Sequence, residues 1–106
     1  MPKYLLEVSY TAEGAKGVQK DGGSKRRAAA QAAVESVGGK MESMYFAFGD
    51  YDVVCIVDAP DAASAAACAI NLTASGAVSC KTVVLLTAEE VDAAVKKTPT
   101  YTPPGR

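Results

Sequence analysis

Two stretches of this chain are so rich in alanine that they read as helices, and glycine cuts both of them off. Lys25 to Val37 places Ala30, Ala33, Val34 and Val37 at helical spacing, with Ser24 ahead as a cap and Gly38-Gly39 behind as a stop. Asp58-Ala59-Pro60-Asp61 breaks a strand pattern and caps the second helix, Ala62 to Ser75, which Gly76 ends. Side chains this small must lie close against a sheet that supplies the bulk of the core. In the second helix Ala62, Ala63, Ala65, Ala66, Ala67 and Ala69 surround the axis, so some of them face solvent or another subunit.

The sheet is legible around these helices. Lys3 to Tyr10 alternates, with Tyr4, Leu6, Val8 and Tyr10 on one face and Leu5, Glu7 and Ser9 on the other. Lys40 to Phe48 and Tyr51 to Asp58 form two strand patterns meeting at Gly49-Asp50, the arrangement of a hairpin, and Ala77 to Leu86 supplies a fourth strand. Thr11 to Ser24 holds Gly14, Gly17, Gly22 and Gly23, and is expected to form a short helical turn followed by a mobile loop. Thr87-Ala88-Glu89-Glu90 fits a capping box for a last short helix reaching about residue 97. Pro99, Pro103 and Pro104 make the remainder, residues 98 to 106, an extended tail after a domain spanning 1 to 97.

The order strand, helix, strand, strand, helix, strand is the split βαβ plan, an α+β ferredoxin-like fold with a four-stranded antiparallel sheet and an extra C-terminal helix. Two helices on one face leave the other open, with Leu5, Tyr45, Val53, Cys55 and Val57 expected there. Such a face is too apolar for water. A second copy pressing its own sheet against it would close a dimeric α+β barrel, so the expected state is a homodimer or a higher homo-oligomer.

Composition narrows the chemistry mainly by what is missing. The chain has 11 basic and 12 acidic residues and a net charge of −1, which gives no electrostatic basis for binding nucleic acid or an acidic membrane surface. No apolar run approaches the roughly 20 residues of a membrane span, and Met1-Pro2-Lys3-Tyr4 opens into a strand pattern rather than a signal peptide. A cytoplasmic location is expected. The sequence contains no histidine, the commonest general base and a leading ligand for haem and transition metals, and Cys55, Cys68 and Cys80 form no CxxC pair. We therefore expect no metal, no haem and no other cofactor, and three structural thiols rather than disulfides.

Several residues remain as candidates for function. Tyr51 and Asp52 begin a strand beside the hairpin, where a phenol or a carboxylate could orient a ligand or shuttle a proton. The structural alternative has Asp52 fastening nearby backbone or an arginine while Tyr51 packs the turn. Glu7 sits within an apolar strand, so it is either a carboxyl of raised pKa or a rim carboxylate bridging to Lys3, Lys40 or Lys81. Arg26, with Arg27, opens a helix after a glycine-rich loop and could hold an anion or simply form a solvated first turn or an ion pair. Tyr10, Tyr45, Tyr51 and Asp52 are expected to rim an apolar cavity between two sheets, with Glu7, Asp52 and Tyr51 as the acid–base candidates.

The same landmarks occur, in order, in a known family. Val8-Ser9-Tyr10-Thr11 with Gly14, then Arg26 or Arg27, Gly38-Gly39-Lys40, Tyr45 through Asp52, Ala59-Pro60-Asp61, Ala74-Ser75-Gly76 and Thr87-Ala88-Glu89-Glu90 together resemble the GYD-domain family. Here Asp50 separates Gly49 from Tyr51-Asp52. The resemblance implies a dimeric α+β barrel and implies no activity, because the wider group of such barrels includes cofactor-free monooxygenases, isomerases, haem enzymes and ligand-sensing domains. Two readings stand: a barrel that binds a small apolar or aromatic molecule or serves as an assembly module, and a cofactor-independent isomerase, cyclase or monooxygenase using a tyrosine or a carboxylate.

Overall fold

The computed structural model describes residues 1–106. Its elements run β1 (Lys3–Tyr10), α1 (Ala12–Asp21), α2 (Gly23–Ser36), β2 (Lys40–Phe46), β3 (Val53–Asp58), α3 (Ala62–Ala74), β4 (Val78–Leu85) and α4 (Ala88–Val95). The strands form one antiparallel sheet in the order β2-β3-β1-β4, which is the ferredoxin-like arrangement. The core lies between this sheet and the helices: Tyr4, Leu6 and Val8 of β1 and Val53, Cys55 and Val57 of β3 pack against Val34 of α2 and Ala65 and Cys68 of α3.

That packing corrects the phase expected for β3. Val53, Cys55 and Val57 lie under the helices, and it is Val54 and Ile56 that share the open face with Leu5 and Tyr45. The register fixes this: Leu5 pairs with Ile56 and Glu7 with Val54, so each pair stands on the side away from the core. On β4, Lys81 and Val83 oppose Glu7 and Leu5 and join the same face. The edge strand β2 carries a bulge between Met41 and Ser43, which leaves Glu42 as the extra residue.

Two local expectations also change. The glycine-rich segment after β1 is a full ten-residue helix, capped by the Thr11 hydroxyl, which accepts from the Gly14 N–H at 3.2 Å. Gly22, at φ 79°, ends α1 and begins α2 in one step, a backbone conformation that L side chains rarely adopt; Ser24 lies inside α2 rather than capping it. The β2–β3 connection occupies residues 47 to 52, and its left-handed residue is Phe48 at φ 56°, not Gly49. The Phe48 ring stacks on Phe46, with ring centroids 6.1 Å apart, while the Gly49 N–H donates to the Tyr51 carbonyl at 3.0 Å.

Asp61 caps α3 as expected, and Thr87 and Glu90 complete both halves of the capping box that starts α4. α4 itself is exposed along its whole length. The molecule measures 56 × 33 × 22 Å with a radius of gyration of 16.8 Å, against about 13 Å for a compact chain of this length. No helix is long and apolar enough to cross a membrane.

Candidate functional site

The residues singled out in the sequence divide between the two faces of the sheet. Glu7, Ser9, Tyr51, Ser79 and Lys81, with Asp50, line an open depression of about 530 Å³ at one end of the uncovered face. Strand alternation places them: Glu7 and Ser9 share a face on β1, Ser79 and Lys81 share one on β4, and the register sets Glu7 opposite Lys81 and Ser9 opposite Ser79. The 47–52 loop then brings Tyr51 over this group. The Lys81 ammonium stands 5.6 Å from the centroid of the Tyr51 ring, within cation–π range. Its interaction with Tyr51, with the Glu7 charge behind it, holds the Lys81 pKa above the ordinary lysine value. A lysine held this way is a fixed cation near neutral pH, suited to receiving an anion or a developing oxyanion and unsuited to accepting a proton.

Beyond this depression the middle of the open face is apolar, and its far end carries the Lys3–Asp58 ion pair, 2.9 Å long, whose members are register partners across β1 and β3. Leu5, Val54 and Ile56 are half-buried at its centre, while Val83 is 39% exposed and Tyr45 69% exposed, so Tyr45 flanks an apolar strip that leads to the Lys81 end.

Tyr10 and Arg26 belong to the other side. A cavity of about 50 Å³ lies between the sheet and helices α2 and α3, lined by Leu6, Val8, Tyr10, Met44, Val53 and Leu72 among others, and Arg26 is its only charged lining residue. Burial pushes the Tyr10 phenol up from its ordinary value; the Arg26 cation opposes that shift and the Asp52 charge adds to it. Arg26 also stands 3.7 Å from Asp21, an ion pair at the α1–α2 junction.

Asp52 serves the backbone. Its Oδ2 accepts from the Tyr10 N–H at 2.8 Å, while its own N–H donates to the Val8 carbonyl at 2.8 Å and its carbonyl accepts from the Ala47 N–H at 2.9 Å. These bonds tie the 47–52 loop to the end of β1, so the carboxylate is a fastener between the two faces. The structure therefore brings Glu7 and Tyr51 together in one depression, sets Tyr45 along the same face, and separates all three from Tyr10 and Arg26.

In the sequence Lys81 stands out as a bridge for Glu7, and Ser79 does not stand out at all. The alternation of β4 carries the signal for both, because Ser79, Lys81 and Val83 have one parity and Cys80 and Thr82 the other.

The three cysteines stand on the helix side and are all free. Burial pushes the Cys55 thiol up to about 11, with the neighbouring sulfurs of Cys80 and Cys68 adding to the shift, and burial also raises Cys68 and Cys80. Such thiols are poor nucleophiles. No group of three histidine, cysteine, aspartate or glutamate side chains is gathered as a metal centre would need.

The model for the GYD domain matches residues 4–95, from the first residues of β1 to the end of α4. This chain belongs to the GYD-domain family. No curated protein and no solved structure matches it. Tyr51 and Asp52 thus divide their work: one leans over the open-face depression and the other locks the loop that presents it.

Proposed function

We propose that this GYD-domain protein works as a homodimer whose two open sheet faces close a barrel, and that the barrel binds a small molecule with an apolar or aromatic body and one anionic group. The observation that carries the reading is the composition of the uncovered face, an apolar strip of Leu5, Val54, Ile56 and Val83 ending in the Glu7–Tyr51–Lys81 cluster. One layer of helices covers a single side of the sheet, and a strip this apolar is stabilised by a partner. A ligand held between two such faces would rest its body on the strip and set its anion at Lys81, where Tyr51 and Ser79 offer hydroxyls.

The enzyme reading draws on the same cluster. Lys81 would stabilise an oxyanion while Glu7, the carboxylate opposite it in the register, moves a proton.

The experiment has two parts. Sedimentation across a range of concentrations should give a dimer for the native chain and a monomer for Ile56→Asp, which places a charge at the centre of the strip. Titration with 1-anilinonaphthalene-8-sulfonate, an aromatic anion, should give binding that Lys81→Gln weakens about ten-fold. A native monomer removes the barrel, and equal binding by Lys81→Gln removes the anion site.

A further inference from the structure

The C-terminal helix is a folded element without a packing partner. All eight residues of α4 are exposed, with Val91 46% and Val95 70% accessible, and the flanking Leu86 and Tyr101 are 59% and 73% accessible. Isolated helices shorter than about 12 residues are marginal in water. The Thr87–Glu90 box secures the first turn of α4 and leaves the second turn without support. Burial of an apolar stripe would supply it: Ala88, Val91 and Val95 fall on one side at helical spacing, with Ala94 beside them and Glu90 and Asp92 along the two margins.

The chain's own surface holds a groove of matching character. Two adjoining depressions of about 340 and 350 Å³ run between α2 and the outer edge of β2, and both are lined by Arg27, Met44 and Tyr45. Within the basic cluster that opens α2, Lys25 and Arg26 are each 3.7 Å from Asp21, whereas Arg27 has no ion-pair partner. The lining also holds Gln31, Ser43 and Glu42, the last 3.5 Å from the Lys3 ammonium, so the groove offers methionine side chains and one free cation beside polar groups, and α4 offers an apolar stripe with a free carboxylate, Asp92, at its margin. The helix does not occupy its own groove: α4 follows β4, whereas the groove lies along β2, at the opposite edge of the sheet.

A two-fold axis between two facing sheets, running along the strands, sets the β4 edge of one copy over the β2 edge of the other. The arm that leaves β4 then emerges beside the partner's groove. We propose that α4 docks between α2 and β2 of a second copy of this chain, with Val91 and Val95 against Met41 and Met44 and with Asp92 facing Arg27, so that each subunit clasps the other. The clasp rests on the sheet-to-sheet dimer and extends it from the barrel interior to the sheet edges.

The test uses full-length variants at exposed positions and reads the dimer dissociation constant by sedimentation. Val91→Asp with Val95→Asp should raise it at least ten-fold. Arg27→Asp and Asp92→Arg should each raise it about three-fold, as exposed ion pairs do, and the two reversals combined should return it to within about two-fold of the native value. Hydrogen exchange should show the α4 amides protected in the native dimer and unprotected in monomeric Ile56→Asp. An unchanged constant for the double valine variant, while Ile56→Asp still yields monomers, overturns the clasp and leaves the barrel standing. A dimer that survives Ile56→Asp overturns the sheet-face dimer and the clasp with it. Protection of α4 in the monomer means that the arm packs on its own subunit, and this too overturns the clasp.

Discussion

Gly14 is the position where the structure makes its sharpest demand on side-chain size. It sits in the first turn of α1, and a Cβ placed on it would lie 2.0 Å from the Ala77 carbonyl oxygen, 2.9 Å from the Ala77 carbonyl carbon and 3.1 Å from Cδ1 of Tyr10. Two of those neighbours are backbone, so relief requires α1 to move by about 1 Å away from the start of β4. The same carbonyl accepts from the Thr11 N–H at 2.9 Å, and the Thr11 hydroxyl donates to the Gly76 carbonyl at 2.8 Å, so the movement strains bonds as well as packing. Overpacking costs about 1–3 kcal/mol and a weakened hydrogen bond about 1 kcal/mol, while alanine returns at most about 1 kcal/mol of helix propensity. Gly14→Ala should therefore lose about 2 kcal/mol and melt about 10 °C below the native protein. Gly17, one turn later, has nothing within 4 Å of its would-be Cβ. Gly17→Ala, in the same helix, should gain about 0.5–1 kcal/mol and melt a few degrees higher. Thermal and urea unfolding followed by circular dichroism measure both. A Gly14→Ala protein as stable as Gly17→Ala would refute the close approach of α1 to Ala77.

Two further outcomes follow from named contacts. Removing the carboxylate that holds the Tyr10 N–H should cost about 1.5 kcal/mol in Asp52→Ala, while Asp52→Asn, which keeps an acceptor, should retain at least half of the difference; urea midpoints at neutral pH decide it. Cys55 has a folded-state pKa of about 11 against an ordinary 9.0, so the folded chain keeps a proton that the unfolded chain releases. Its contribution is fully present below pH 9 and is lost as pH rises toward 11, a fall of about 2–3 kcal/mol that Cys55→Val should make shallower; superimposable pH profiles for the two proteins would contradict the buried neutral thiol.

How much of the site could be read in the sequence depended on how cleanly each strand alternates. On β1, Tyr4, Leu6 and Val8 contrast with Glu7 and Ser9, so the two faces are distinct in the sequence and Glu7 is placed on the open side by pattern alone. On β3 the run Val53-Val54-Cys55-Ile56-Val57 is apolar at every position, because the strand meets the helices on one side and forms the centre of the open apolar strip on the other; no parity distinguishes the faces, and the pattern alone points to the wrong phase. Lys81 gained a role only when the register set it opposite Glu7 and the loop brought Tyr51 within 5.6 Å.

The sequence by itself determined the order of every element except α1, the antiparallel α+β plan, the Asp61 cap and the Thr87–Glu90 box, since each rests on interactions among residues near one another in the chain. Only the tertiary structure decided that the glycine-rich segment is helix. Local propensity weighs against α1, yet Gly14 admits the Ala77 carbonyl and the Thr11 backbone binds it, so a contact between residues more than 60 positions apart outweighs the propensity of the intervening glycines. The partition of Tyr51 to the open face and of Tyr10 and Arg26 to the helix side was decided there too, because a side chain's face at a strand end depends on the loop that Asp52 ties to β1.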